Sequence, residues 1–425
     1  MIRILEFQSN KETIMNRTLG ISGVEETVAA IIEDVKNNGD SALFRYCEKF
    51  DKARLDSLEV TQDEIDAAES CVDLGIIETM RSAAENIEAY HRKQVRTNFI
   101  VNERNGVVLG QKITPIEKVG LYIPGGTAAY PSTVLMNCIP AKIAGCKEIF
   151  IATPASGGTV NPLILAAAGL MGIRRIFKIG GAQAAAAMAF GTASVPKADK
   201  IFGPGNAYFT EAKRQLFGVV GIDIIAGPSE ILIIADAASN PAHIAADMLS
   251  QAEHDVNARA ILVTDSVSLA RSVRQELENQ IPLLPRSEIA RASVDGCGMI
   301  VLTPSIRAAL EIANEIAPEH LELCLDNPFD YLDSVRNAGS VFLGRYCPEV
   351  LGDYYAGPNH TLPTSGSARY SSPLSVDDFV KKTQFTYYTR DALCEAKDAV
   401  TRFAGIEGLH AHARSVSIRF EEGSL

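Results

Sequence analysis

Residues 119–153 read VGLYIPGGTAAYPSTVLMNCIPAKIAGCKEIFIAT, and the order of their parts decides the fold. The runs 119–123 and 148–153 are short and apolar, rich in β-branched and aromatic side chains, as buried strands require. Residues 132–145 between them carry the small and apolar side chains of a packed helix. Strand, helix and strand within about 35 residues form a βαβ unit, which implies a parallel sheet covered on both faces.

The alternation continues outward. Strands are expected at 175–179 and 200–202, with helices at 162–172 and 182–192. A second series gives strands at 231–235, 260–263, 299–302, 321–325 and 340–343, and helices at 243–253, 268–280 and 306–316. Toward the N-terminus, 22–51 is helical with a break at Asn37-Asn38-Gly39, and a second helical tract covers 61–96. Beyond about Ser372 the chain is polar and mostly helical, ending in an expected strand at 416–420. The fold class is therefore α/β, with two Rossmann-like parallel-sheet domains and small N- and C-terminal segments. The expected boundaries are 1–20 for an N-terminal segment, 21–118 with 232–372 for one α/β domain, 119–231 for the other, and 373–425 for a tail.

A chain of 425 residues can bury more than one core. It is 47% apolar and 22% charged, an ordinary globular composition. Its net charge of −12 argues against nucleic acid or an anionic membrane as a partner. The start, MIRILEFQSNKE, lacks the apolar run of a signal peptide, and the eight cysteines include no CxxC pair. A cytoplasmic protein with reduced thiols is expected.

The polar clusters carry the chemistry. Asn240 caps a helix with Pro241 in its first turn. That helix ends in Ser250-Gln251-Ala252-Glu253-His254-Asp255, with Gln251 and His254 three apart and so on one side of the last turn. Three glycine-rich loops follow strands of the first series: Tyr122-Ile-Pro-Gly125-Gly126, Gly180-Gly181-Ala-Gln183 and Gly203-Pro-Gly205-Asn206. Such loops let a backbone approach phosphates, and parallel sheets bind ligands beyond the carboxyl ends of their strands. Neither GxGxxG nor a Gly-Lys-Ser/Thr phosphate loop occurs. Glu319-His320 places a carboxylate beside an imidazole, two groups suited to proton transfer. Asp353 and His360 share a Gly/Pro-rich loop, and Glu407, His410 and His412 lie near the C-terminus. Any one of these clusters is satisfied by a tight turn or a structural histidine. Together, glutamine, histidine and aspartate suit a divalent cation with N and O ligands, zinc foremost.

The longer motifs are specific. GLYIPGG, KIGGAQAAAAMAFGT, FGPGNAYFTEAKRQ, AGPSEILIIAD, DMLSQAEHD, APEHLEL and GDYYAGPNHTLPTSGSARY resemble the histidinol dehydrogenase family over nearly the whole chain. The resemblance implies a zinc-dependent, NAD-linked homodimer that oxidises L-histidinol to L-histidine through an aldehyde-level intermediate, the last step of histidine biosynthesis. It implies one zinc per subunit, held by Gln251, His254, Asp353 and His412, and an acid/base pair of Glu319 and His320. Substrate contacts would come from Ser229, Gln251, His254, His320, Asp353, His360, Glu407 and His412, and NAD contacts from Tyr122, Gln183 and Asn206. The 119–231 domain would then bind NAD, and the tail would cross to the other subunit. The EGLxAH spacing favours His412 over His410. Dehydrogenases of the same fold acting on other small alcohols, such as sulfonated diols, are the alternative. A metal-stabilised binding protein is the non-enzymatic rival, and the retention of both bases and every ligand argues against it.

Overall fold

The computed structural model describes residues 1–16, 23–125 and 129–421. It divides into two units, Met1–Gln94 with Ile116–Phe379, and Val95–Pro115 with Val380–Leu425. Gly126 of the first glycine loop and residue 22 lie outside the described residues.

The first unit holds two parallel sheets. Six strands run in the order Arg3–Glu6, Met299–Leu302, Arg259–Thr264, Glu230–Ala235, His320–Cys324 and Ser340–Leu343. The central strands EILIIA and RAILVT are buried at every position, as strands covered on both faces must be. Their side chains alternate between two layers. Ile231 and Ile233 pack with Ile244, Met248 and Leu269, whereas Leu232 and Ile234 pack with Leu310 and Ile316. The other sheet has five strands, Ile176–Lys178, Glu148–Thr153, Lys118–Tyr122, Lys200–Phe202 and Gly221–Ile222. The strand–helix–strand reading of 119–153 thus becomes Lys118–Tyr122, the helix Pro131–Ala144 and Glu148–Thr153.

Three expectations are corrected. The N-terminal residues do not stand apart, because Arg3–Glu6 is an edge strand of the six-stranded sheet beside Met299–Leu302. The N-terminal helices do not complete that sheet but cover the five-stranded one. Val28, Ile31 and Leu43 pack on one face with Phe150 and Phe177, while Ile65 and Ile87 pack on the other with Val119 and Ile151. The link is Val60, whose N–H donates to the carbonyl of Ile176 at 2.8 Å, and Leu58, whose carbonyl accepts from Lys178 at 2.7 Å. This ties the helices to the edge strand Ile176–Lys178. An apolar stripe at helical spacing specifies burial but not the partner.

The third correction concerns the tail. In the second unit Val380–Tyr388 pairs antiparallel with Val107–Pro115, which also pairs with Phe99–Val101. Residues 95–115 therefore belong with the tail, which starts at 380 rather than 373. The expected strand at 416–420 is instead the end of the helix His410–Ser417 and a short 3-10 turn, Ile418–Phe420. Local alternation is overridden by packing: the Phe420 ring lies under Arg390 and Lys397 of the helix Arg390–Ile406, at 5.6 and 5.8 Å.

Candidate active site

A cavity of about 490 Å³ lies in the first unit. The five-stranded sheet contributes the carboxyl ends of its strands, through Pro124 and Gly125 after Lys118–Tyr122 and through Pro204, Gly205 and Asn206 after Lys200–Phe202. The six-stranded sheet contributes amino ends instead. Ser229 precedes Glu230–Ala235, and Glu319 and His320 open the strand His320–Cys324. The carboxyl-end rule for parallel sheets thus holds on one side of the cavity only.

Glu319 and His320 are both buried and both anchored on Glu230. The Glu230 N–H donates to Glu319 Oε2 at 2.9 Å, and His320 Nδ1 lies 3.0 Å from the Glu230 carbonyl oxygen. A carbonyl can only accept, so Nδ1 carries a proton, and Nε2 is the nitrogen at which the ring gains or loses one. His320 Nε2 is buried without a hydrogen-bond partner. Asp353 Oδ1 is 3.8 Å from it, an electrostatic contact too long for a hydrogen bond. Burial pushes the Glu319 carboxyl up to about 8, although His320 and the Glu230 N–H pull the other way. Burial pulls His320 down, but Glu319 and Asp353 outweigh it and hold the ring up at about 10.

Around this pair sit the remaining cavity residues. Gln251 ends the helix Pro241–Ala252, which Asn240 caps through the Ala242 N–H at 2.9 Å. His254 follows in the turn, its N–H on the Gln251 carbonyl at 3.2 Å. The Gln251 Oε1 is buried with no partner. Burial lowers the His254 pKa, which keeps the ring neutral. Asp353 is also buried, yet His320 outweighs that burial and keeps its carboxylate ionised. His360 Nδ1 lies 3.1 Å from the Asp353 carbonyl, and burial lowers its pKa as well. Ser229, Gln251, His254, Glu319, His320, Asp353 and His360 all line one cavity.

A model of the histidinol dehydrogenase family matches residues 15–420. A histidinol dehydrogenase of Listeria innocua is 53% identical over 399 residues, 94% of this chain and 93% of that protein. One from Clostridium acetobutylicum is 54% identical over 397 residues, 93% and 92% of the two chains. The crystal structure of histidinol dehydrogenase from Elizabethkingia anophelis superposes with a TM-score of 0.94 at 42% identity, covering 99% of this chain and 98% of that one. The chain belongs to the histidinol dehydrogenase family.

The cation ligands that the histidinol dehydrogenase resemblance implies can be tested on this geometry. A buried unpartnered amide oxygen, a neutral imidazole and an ionised carboxylate form a donor set that suits zinc. The residues of the first unit fit the group. Glu407 and His412 belong to the second unit, Glu407 capping the helix Arg390–Ile406 and His412 within His410–Ser417, and both are exposed there. Of the residues expected to contact NAD, Asn206 lines the cavity and its Oδ1 caps its own helix through Tyr208 and Phe209, each at 3.1 Å. Tyr122 lies deeper, stacked on Phe209 at 3.7 Å with its hydroxyl accepting the Gly181 N–H, and Gln183 is buried in the helix Gly181–Phe190.

Sequence reasoning missed Glu349. Its carboxylate, with His320 and Asp353, offers metal-competent atoms within 4.8 Å of one another. Ser250 donates to its Oε1 at 2.9 Å, while Oε2 is buried and unpartnered. The available signal was the spacing: Glu349 and Asp353 are four apart at a helix start and so share one side.

Proposed function

We propose that this chain oxidises L-histidinol to L-histidine with the reduction of two NAD. The observation that carries the reading is the buried Glu319–His320 pair set against the cation-competent Gln251, His254 and Asp353 in one cavity. Zinc held by Gln251, His254, Asp353 and His412 of the partner subunit would supply a Lewis-acidic anchor for the nitrogens of the substrate.

The chain's own groups account for the proton chemistry. With Nδ1 fixed on the Glu230 carbonyl, His320 presents Nε2 to the substrate. The ring is cationic while Glu319 and Asp353 hold it up at about 10. With the Asp353 charge drawn off to a cation, Nε2 would be free to accept the alcohol proton while hydride leaves for NAD. That first step gives the aldehyde. Glu319, held at about 8, is basic enough to take a proton from water as the water adds to the aldehyde carbon. The aldehyde oxygen takes up the proton held by His320, and the resulting hydrate loses a second hydride to NAD and an O–H proton to His320 to become the acid. His360 and Ser229 bind the substrate, with Glu407 of the partner subunit. Tyr122, Gln183 and Asn206 form the NAD side, Tyr122 and Gln183 from beneath the wall.

A homodimer follows from the same reading. The second unit leaves Tyr387, Phe403, Ile406 and Leu409 exposed, an apolar surface that a partner would cover. Residues 119–231 bind NAD, and the protein acts in the cytoplasm, in keeping with Cys47, Cys138 and Cys324 buried as free thiols. The deciding experiment measures NADH formed per L-histidinol consumed, before and after chelation. Two NADH per substrate, lost on chelation and restored by zinc, supports the reading; one NADH per substrate overturns the second step, and none overturns the substrate.

A further inference from the structure

Beneath the cavity one buried ion pair joins two of its walls. Lys213 lies in the helix Ala207–Leu216, and Asp223 directly follows the strand Gly221–Ile222. Their side chains are 0% and 1% exposed, and Lys213 Nζ is 2.6 Å from Asp223 Oδ1. The pair closes on the backbone of Gly203. Nζ donates to the Gly203 carbonyl at 2.9 Å, and Asp223 Oδ2 accepts the Gly203 N–H at 2.7 Å. Gly203 has φ +116°, and a Cβ there would run into the carbonyl of Tyr122, so only glycine gives the loop this course. Immediately beyond Gly203, Pro204, Gly205 and Asn206 line the cavity, and immediately beyond Asp223 so does Ile224.

A buried ion pair is expensive to desolvate and is often no more stabilising than apolar side chains of similar volume. Stability is therefore a poor reason for its presence, whereas placing Gly203 is a good one. The rest of the second wall has other ties: the Gly227 N–H donates to Thr364 Oγ1 at 2.6 Å, and the Ser229 carbonyl accepts from Arg259 at 2.9 Å. The bonds of Gly205 and Asn206 are local, to Thr210, Tyr208 and Phe209 of the helix that they introduce.

We propose that Lys213 and Asp223 are positioning residues for dinucleotide binding. They clamp segment 203–206 at the depth where Gly205 and Asn206 meet the dinucleotide, and leave the substrate end of the cavity to other bonds. The inference rests on the NAD reading given above.

The test replaces both partners, because removing one strands a buried charge. For Lys213→Met/Asp223→Leu, NADH affinity is measured by cofactor fluorescence, KM for NAD and for L-histidinol by kinetics, zinc by elemental analysis and folding by thermal melting. The NADH dissociation constant and the KM for NAD should rise about tenfold or more, with the KM for histidinol and the zinc content within about twofold of the parent. Lys213→Met/Asp223→Asn keeps an acceptor for the Gly203 N–H and should recover part of the loss. Should the leucine variant fail to fold, this second variant decides, since its affinity should still fall below that of the parent. Parent-like NADH affinity in a folded variant overturns the proposal, as does a parallel loss of histidinol binding and zinc. A parent protein that binds no NADH overturns the NAD reading and this proposal together.

Discussion

His320 Nδ1 lies 3.0 Å from the carbonyl oxygen of Glu230, and that bond sets which imidazole nitrogen faces the cavity. The N–H of the same residue holds Glu319 at 2.9 Å. One residue of a central strand therefore fixes both halves of the acid/base pair.

Glu319→Gln should separate the two oxidations. The amide keeps an acceptor for the Glu230 N–H but cannot take a proton from water. Oxidation of the aldehyde should fall by roughly 10²–10⁴-fold, while conversion of the alcohol falls much less. Single-turnover measurements started from histidinol and from the aldehyde read the two steps separately, and an equal loss of both would refute the assignment.

Gln251→Ala and His254→Ala should release the cation. The expected outcome is a loss of zinc affinity of at least about tenfold, read by competition with a chromogenic chelator. Retention at parent-like affinity in both variants would remove these residues from the ligand set.

The shared site can be tested by mixing. Glu319→Gln is defective in the first unit and His412→Asn in the second. If the tail serves the partner subunit, mixed dimers carry one intact site, and activity should return to about a quarter of the parent value at full subunit exchange. Exchange shown by mass spectrometry without regained activity would rule the shared site out.

His91 predicts a component of acid sensitivity. Burial lowers its pKa from the ordinary 6.5, against bonds to Ile87 and Leu374 that raise it. A lowered folded pKa means that the unfolded chain binds the proton first. The stabilisation is then complete above about pH 6.5 and is lost as pH falls toward the folded value. His91→Gln should flatten the decline of stability between pH 7 and pH 5, by at most about 1.4 kcal/mol per pH unit. Urea midpoints at several pH values check this, and an unchanged slope would refute it.

Core packing gives the plainest expectation. Phe150 is fully buried and meets Phe177 edge to face at 5.9 Å. Phe150→Ala should cost about 3–5 kcal/mol, read as a lower denaturant midpoint with unchanged slope.

The sequence by itself determined the inner strands of both parallel sheets, but not the edge strands Arg3–Glu6 and Gly221–Ile222. Strands covered on both faces must be apolar throughout, and runs such as EILIIA and EIFIAT are unmistakable at that length. It also marked Gln251, His254, Glu319, His320, Asp353 and His360, because each sits in a short polar cluster at the end of an element. The tertiary structure alone decided what amphipathic elements pack against. The stripe Val28, Ile31 and Val35 says that a face is buried, while the edge bonds of Leu58 and Val60 direct it to the five-stranded sheet. Only the structure joined Lys213 to Asp223 and Ser250 to Glu349, and only the structure showed that the six-stranded sheet serves the cavity with its amino ends. Burial and periodicity are local properties written in neighbouring residues; the pairing of distant segments depends on shape and on hydrogen bonds that exist only once the chain has closed.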